Sequence, residues 1–222
     1  MLEILKLVLV AVIGYLLGSI NTSIIVGKFF GIDIRKHGSG NAGATNALRT
    51  LGAKPAIFTF AGDALKGVIA CLIGRAVFGW NFEPGHALTI EGFLSVTAET
   101  GLLFAGLGAI IGHNWPVYFG FKGGKGVLTS FAVLLMMDWR IALILLGVFI
   151  AVIALTRFVS LGSIIAAFLY PFFTLIPAFN HGGAQFLLAS ALVAFIIIFR
   201  HKANIGRLLS GTESKVFSKK KE

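Results

Sequence analysis

Residues 37–52 read HGSGNAGATNALRTLG, the least membrane-like stretch of a chain that is otherwise mostly hydrocarbon, and the rest of the chain must be threaded around it. Gly38, Gly40 and Gly43 free the backbone to turn and to bare N–H groups, and residues 44–51 read as a short helix. A helix start of that kind is a ready anion site. With a helix beginning near Asn41, the side chains of Asn41, Thr45 and Arg49 fall four apart on one face and present an amide, a hydroxyl and a guanidinium together.

Composition sets the class. Apolar residues make up 57% of the 222 and charged ones 13%, with a mean hydropathy of +0.91, so the chain reads as a polytopic membrane protein with no large soluble domain left over. Cys71 is the single cysteine, so disulfides form no part of the scaffold. The net charge of +10 would suit nucleic acid in a soluble chain. In a membrane chain, lysine and arginine instead mark the cytoplasmic side and anionic ligands or headgroups, so no nucleic-acid partner is expected and membrane lipids are.

Residues 2–30 open with Glu3 and Lys6, run apolar for longer than a signal-peptide core and read as a retained first span. Lys28, Arg35 and Lys36 set its end inside, which puts the N-terminus outside. Further spans are expected at 55–78, 100–115, 127–137, 141–156, 159–179 and 185–199; the fourth is short enough to need tilting or capping, and Pro171 and Pro177 should kink the sixth. The segment 80–99 carries Glu83 and Glu91 without lysine or arginine, as an outer loop with part of it an interfacial helix. Of the nineteen Lys and Arg, all but Lys6, Lys66, Arg75 and Arg140 lie in or beside inner segments. The expectation is an all-α polytopic membrane protein, one domain over 1–222 with seven transmembrane helices, the C-terminus cytoplasmic and 214–222 a basic, disorder-prone tail.

That threading delivers three polar stretches to the inner face. The first offers Ser39, Asn41, Thr45, Asn46 and Arg49. The second, GHNWPVYFGFKGGKGVLTSF at 112–131, offers His113, Asn114, Lys122 and Lys125 among Gly120, Gly123, Gly124 and Gly126. The third, RHKANIGRLLSGTESK at 200–215, offers Arg200, His201, Lys202, Asn204 and Arg207. Fixed cations and backbone donors with almost no acids suit a phosphorylated substrate. They suit a metal poorly, since no acids or histidines are spaced as ligand pairs, and no cofactor is expected. A nucleotide P-loop ending at Lys125 fails because Phe119 stands where glycine is required and Gly126 where serine or threonine is.

Simpler roles compete with each of these. Single glycines in membrane helices commonly serve close packing, although four in seven residues around Lys125 favour an anion loop. Ser39 is either a helix cap or, with a base, a nucleophile; His37 and His113 are candidate bases, yet no acid is placed to orient either. His201 and Asn204 are three apart on one helical face and can act as a unit, while a histidine at a helix end also serves as a dipole contact. Asp63 and Lys66, three apart in the second span, either pair with each other or line a polar cavity.

GSGNAGATNALRTLG, GHNWPVYFGFKGGKG and RHKANIGRLLSGTE, in this order on the inner side, resemble the three motifs of the bacterial PlsY-type acyl-phosphate:glycerol-3-phosphate acyltransferases. GDALKG at 62–67 is similar to a further family element, and the likeness covers essentially the whole chain. The resemblance implies transfer of a fatty acyl group from acyl phosphate to the 1-hydroxyl of sn-glycerol 3-phosphate, giving lysophosphatidic acid and phosphate. It also implies a bacterial inner-membrane location, an active site facing the cytoplasm and function as a monomer. By the same likeness Ser39 and Arg49 of the first motif, helped by Asn41, Thr45 and Asn46, hold the glycerol phosphate with Lys125. The loop of Gly120, Lys122, Gly123, Gly124 and Gly126 serves the donor, and His201 and Asn204 stand beside the reacting hydroxyl. Asp63, Lys66, His113, Asn114 and Glu213 are expected to be structural or supporting. Ala42 stands where many members have proline. The competing expectation is a transporter or channel for a small phosphorylated anion, which would need a polar path across the bilayer that the acidic outer segments do not supply.

Overall fold

The computed structural model describes residues 1–79, 96–179 and 183–216, and every regular element among them is helical. The interfacial helix expected within 80–99 falls largely outside the described residues, as do Lys219, Lys220 and Lys221. In chain order the helices are α1 (Leu2–Gly18), α2 (Thr22–Phe29), α3 (Ala44–Leu51), α4 (Ala53–Phe78), α5 (Ala98–Asn114), α6 (Val127–Met137), α7 (Trp139–Thr156), α8 (Val159–Thr174), α9 (Gly183–Arg200) and α10 (Lys202–Leu209).

Five stretches are long and apolar enough to cross a membrane: Leu2–Phe29, Ala53–Phe78, Ala98–Phe119, Trp139–Thr156 and Gly183–Arg200. Two shorter apolar helices, α6 and α8, pack among them. Large hydrophobic side chains such as Leu9, Phe58 and Phe195 are exposed, which would be an aggregation hazard in water and is the ordinary condition of a surface facing lipid.

The first span, expected to be continuous, is two helices. The chain breaks at Ser19–Asn21 because Asn21 is a strong cap: its side chain accepts from the Ile24 N–H at 3.2 Å and the Ser23 hydroxyl at 2.8 Å and starts α2 afresh. The Ile20 carbonyl left over by the break is met by the Lys66 ammonium at 3.1 Å.

Helix α5 is the axis of the N-terminal half, and glycines let its neighbours approach it. A β-carbon on Gly14 or Gly18 of α1 would stand 2.0 or 2.1 Å from the carbonyl oxygens of Ala105 or Ala109, distances no side chain tolerates. Gly74 of α4 meets Gly101 of α5 in the same way. Helices α6 to α9 form the other half, with Cys71, Ile110, Val133, Tyr170 and Phe186 in the core that joins the halves. The polar stretches at 37–52, 112–131 and 200–215 therefore meet at one end of the bundle, where α3, the N-terminus of α6 and α10 converge.

Candidate active site

The first stretch is built as a braced loop. Helix α3 starts at Ala44, with Gly43 before it and no side chain capping it, so Ser39 is not the helix cap and Asn41 lies ahead of the helix, off its face. Asn46 does the bracing: its amide donates to the carbonyls of Ile34 and His37 at 3.0 Å each, and its oxygen accepts the Ser39 N–H at 2.9 Å. Both amide hydrogens of Asn46 are thus committed to the loop, and the residue also lines the cavity described below. Gly38 and Gly40 take left-handed backbone at φ +59° and +70°, and a β-carbon on Gly38 would lie 2.3 Å from the Asn46 oxygen. Ser39, Asn41, Thr45 and Arg49 all reach the cavity described below.

The glycine loop departs from expectation in a specific way. The N–H groups of Gly123 and Gly124 donate to the carbonyls of Asn114 and His113, at 3.3 and 3.1 Å, so they do not face an anion. The loop's own carbonyls are held from outside. Arg200 donates to Gly124 and Gly123 while its guanidinium lies 5.4 Å from the Trp115 ring centroid. Arg35 donates to both Asp33 carboxylate oxygens at 2.9 Å, which holds the Asp33 pKa down at about 2, and it donates to the Phe119 carbonyl at 3.0 Å. Gly120, Lys122, Gly123 and Gly124 accordingly lie behind the cavity wall, with Lys122 exposed on the outer side of the loop. Lys125 and Gly126 are the members of the loop that line the cavity. Gly126, at φ +74°, turns the chain directly into α6, whose first turn has no side-chain cap. The start of α6, with its uncapped first turn, is thus the part of this stretch whose backbone donors border the cavity.

The third stretch supplies a chain of hydrogen bonds. Lys125 donates to the Asn204 side-chain oxygen, and Asn204 Nδ2 donates to Glu213 Oε1 at 2.7 Å. Glu213 also accepts from Ser160 and from Arg207, each at 2.7 Å; burial alone would raise its carboxyl, but these three donors outweigh it and hold it below the usual range. His201 contacts the Ile197 carbonyl through Nδ1 at 2.8 Å, which places the ring proton on Nδ1 and leaves Nε2 as an acceptor. Burial, then the neighbouring Lys125 charge, brings the His201 imidazole down to about 4, so it is neutral over the physiological range. Burial likewise pulls Lys125 down to about 8 against the pull of Glu213, with Arg207, Arg200 and Arg49 pushing the same way as burial.

Beneath the loop sits a buried charged cluster. Lys66 donates to Asp63 Oδ1 at 2.8 Å and contacts His113 Nδ1 at 2.9 Å; because an ammonium has only donors, that nitrogen is the acceptor. Pairing and cavity lining, posed as alternatives for Asp63, are both realised. The far nitrogen of the His113 ring abuts Gly124, and the Asn114 amide donates to the Ile110 carbonyl at 2.7 Å.

Residues of all three polar stretches, with Asp63, line one cavity of about 380 Å³. Its polar end carries Ser39, Arg49, Lys125, His201 and Asn204. From there it continues between α6, α7, α8 and α9 as an apolar trough past Phe131, Leu145, Ala167 and Tyr170. Sequence reasoning missed the trough, because its lining is ordinary span residues with no local signature. It also missed the clamping role of Arg200, which only the fold can show. Among the described residues no three His, Cys, Asp or Glu side chains converge.

The chain matches the family model described as glycerol-3-phosphate acyltransferase over residues 8–211. It is 44% identical over 213 residues to a glycerol-3-phosphate acyltransferase of Thermoanaerobacter sp. (strain X514), covering 96% of each chain. It is also 44% identical over 220 residues to one of Clostridioides difficile (strain 630), covering 99% of this chain and all (100%) of that one. In three dimensions it is similar to PlsY, an integral membrane glycerol 3-phosphate acyltransferase, in its glycerol 3-phosphate form, with a TM-score of 0.80, 36% identity and 95% of both chains covered. The lysophosphatidic acid form of PlsY matches with a TM-score of 0.77 and 35% identity over 94% of each chain.

Proposed function

The chain belongs to the glycerol-3-phosphate acyltransferase family, and from that premise we propose that it moves a fatty acyl group from acyl phosphate to the 1-hydroxyl of sn-glycerol 3-phosphate, releasing lysophosphatidic acid and inorganic phosphate. The observation that carries this reading is the shape of the cavity: a cationic, donor-rich end continuous with an apolar trough. Such a site fits two phosphates at one end and a fatty chain at the other. PlsY itself has been captured with glycerol 3-phosphate and with lysophosphatidic acid, molecules that match those two ends.

In the proposed arrangement the acceptor phosphate lies against Ser39, Arg49 and Lys125, and the donor phosphate lies at the start of α6 beside Gly126. Asn41 and Thr45 border the acceptor. Acyl phosphate carries a good leaving group, so positioning and charge stabilisation suffice and no acyl-enzyme is needed. The acceptor hydroxyl donates to His201 Nε2, which aligns its oxygen on the acyl carbonyl carbon. The new ester C–O bond forms as the acyl–phosphate C–O bond breaks. Phosphate is the better final base, because a phosphate monoester holds its last proton to a pKa of about 6 whereas His201 sits at about 4. Asn204, held by Lys125 and Glu213, fixes the lysine toward both phosphates.

For topology we propose seven membrane-crossing elements, the α1–α2 pair and each of α4 to α9, with the N-terminus outside and the site at the cytoplasmic face of the bacterial inner membrane. The inner placement is supported by the concentration of Lys and Arg at the end of the bundle that holds the cavity. Action as a monomer belongs to the same proposal, on the family resemblance. The test is a product assay on purified protein with labelled glycerol 3-phosphate. Lysophosphatidate formed from palmitoyl phosphate and not from palmitoyl-CoA is the expected result; no product, or equal use of the thioester, would overturn the proposal. Uptake of glycerol 3-phosphate into protein-bearing liposomes without product would favour a transporter.

A further inference from the structure

Arg35 reads in the sequence only as a mark of the inner side, and it does not line the cavity. Its guanidinium is nevertheless bonded along both edges. Asp33 accepts the Arg35 N–H at 3.1 Å, which starts the short helical turn Ile34–Lys36, and the same carboxylate accepts from Nε and Nη2 of the side chain at 2.9 Å each. The remaining nitrogen, Nη1, donates to the Phe119 carbonyl at 3.0 Å and to the Lys122 carbonyl at 3.4 Å. Between those two carbonyls the backbone is left-handed at successive residues, Gly120 at φ +64° and Phe121 at φ +59°. Phe121 is the costly one, because it carries a β-carbon and its exposed side chain offsets little of the strain.

The turn that carries Arg35 is also bonded to the first polar stretch. Asn46, whose oxygen accepts the Ser39 N–H, donates to the carbonyls of Ile34 and His37 on either side of Arg35, and the Ile34 side chain is fully buried. One short turn thus joins the loop of Ser39 to the loop of Lys125. Arg200 holds that second loop at the carbonyls of Gly123 and Gly124, so Lys125 is the first residue beyond the clamped run. Without Arg35, a run containing Gly120, Gly123 and Gly124 has many backbone states open to it, and the left-handed Phe121 gains by leaving its present one. Given the proposed function, on which this inference rests, we propose that Arg35, locked by Asp33, is a positioning residue: it holds the left-handed turn at 120–121 and thereby sets the place of Lys125 relative to Ser39.

The experiment measures kcat/KM against pH on purified full-length protein with palmitoyl phosphate and glycerol 3-phosphate, for the wild type, Arg35→Lys, Asp33→Asn and Lys36→Ala. Lysine keeps the charge of Arg35 and loses the fork, so Arg35→Lys should lower kcat/KM by about tenfold to a hundredfold, while Lys36→Ala, at an exposed residue of the same turn, should stay within about twofold. The position of the alkaline limb separates positioning from loss of folded protein, which would scale the rate equally at every pH. Burial brings Lys125 to about 8, and the charges that act on it, Glu213, Arg207, Arg200 and Arg49, are unchanged in these variants. A lysine released from its place regains water, so the limb should move up from about 8 toward 10.5 in Arg35→Lys and stay in place in Lys36→Ala. Asp33→Asn should move it the same way by less; the lost negative charge would act in the opposite direction. An unmoved limb in folded Arg35→Lys overturns the assignment. If that variant does not fold, an unmoved limb in Asp33→Asn overturns it instead. A wild type that forms no product overturns the proposed transfer and this assignment with it, whereas an active wild type with unmoved limbs in the variants overturns this assignment alone.

Discussion

The Arg200 guanidinium grips the Gly124 carbonyl through both Nε and Nη2, at 3.0 and 2.8 Å. A third bond, from Nη2 to the Gly123 carbonyl at 3.0 Å, makes Arg200 the outer clamp of the loop that carries Lys125. Lysine cannot reproduce a planar fork that reaches two carbonyls. Arg200→Lys should therefore lower kcat/KM by about tenfold, corresponding to about 1.4 kcal/mol of lost positioning, and lower the thermal midpoint in detergent. Initial rates and a thermal-shift curve on the same preparation check both.

Lys125 gives a pH dependence with opposite signs for binding and stability. The site needs its ammonium, and burial brings it to about 8 in the free protein, so kcat/KM should fall as pH rises through that value. Stability should move the other way. Between about 8 and the ordinary 10.5 the unfolded chain holds the proton that the folded chain has released, so unfolding free energy rises with pH across that window. Lys125→Met should lose the alkaline limb and cost about tenfold to a hundredfold in kcat/KM.

For His201 the expected defect is in turnover. His201→Phe removes the Nε2 acceptor and should lower kcat by about a hundredfold or more with a smaller change in KM for glycerol 3-phosphate. In the free protein, NMR of labelled histidine should find this ring titrating near 4, below the ordinary 6.5, because burial and then Lys125 oppose its charge. The folded protein resists that proton, so the His201 contribution to stability is present above 6.5 and is lost as pH falls toward 4.

Ala167 and Tyr170 line the apolar trough from α8. Ala167→Phe fills part of it and should penalise palmitoyl phosphate far more than octanoyl phosphate, by about tenfold or more in relative kcat/KM, since each buried methylene is worth about 0.8 kcal/mol. Equal loss on both donors would remove the trough from the acyl-binding role.

The all-helical membrane architecture was largely legible because a span announces itself by length and hydropathy. The break at Ser19–Asn21 was hidden, since a cap and a carbonyl partner on another helix leave hydropathy unchanged. At the site, the residues that converge were visible as three polar stretches, but their division of labour was not. Asn46 and Arg200 look like anion ligands in sequence, and the fold turns both toward backbone groups. Gly123 and Gly124 looked like an anion cradle, yet they are small because His113 and Asn114 lie against them: a β-carbon there would stand 2.1 Å from the His113 oxygen or ring nitrogen. Side-chain identity reports what a residue can bond to; which partner it meets depends on helices distant in the chain.

The most direct measurement is intact mass of the purified protein after incubation with palmitoyl phosphate alone, followed by addition of labelled glycerol 3-phosphate. Direct transfer within the cavity predicts an unchanged protein mass in the first step and labelled lysophosphatidate only when both substrates are present. A palmitoylated protein, on Ser39 or elsewhere, that is discharged by glycerol 3-phosphate would contradict it.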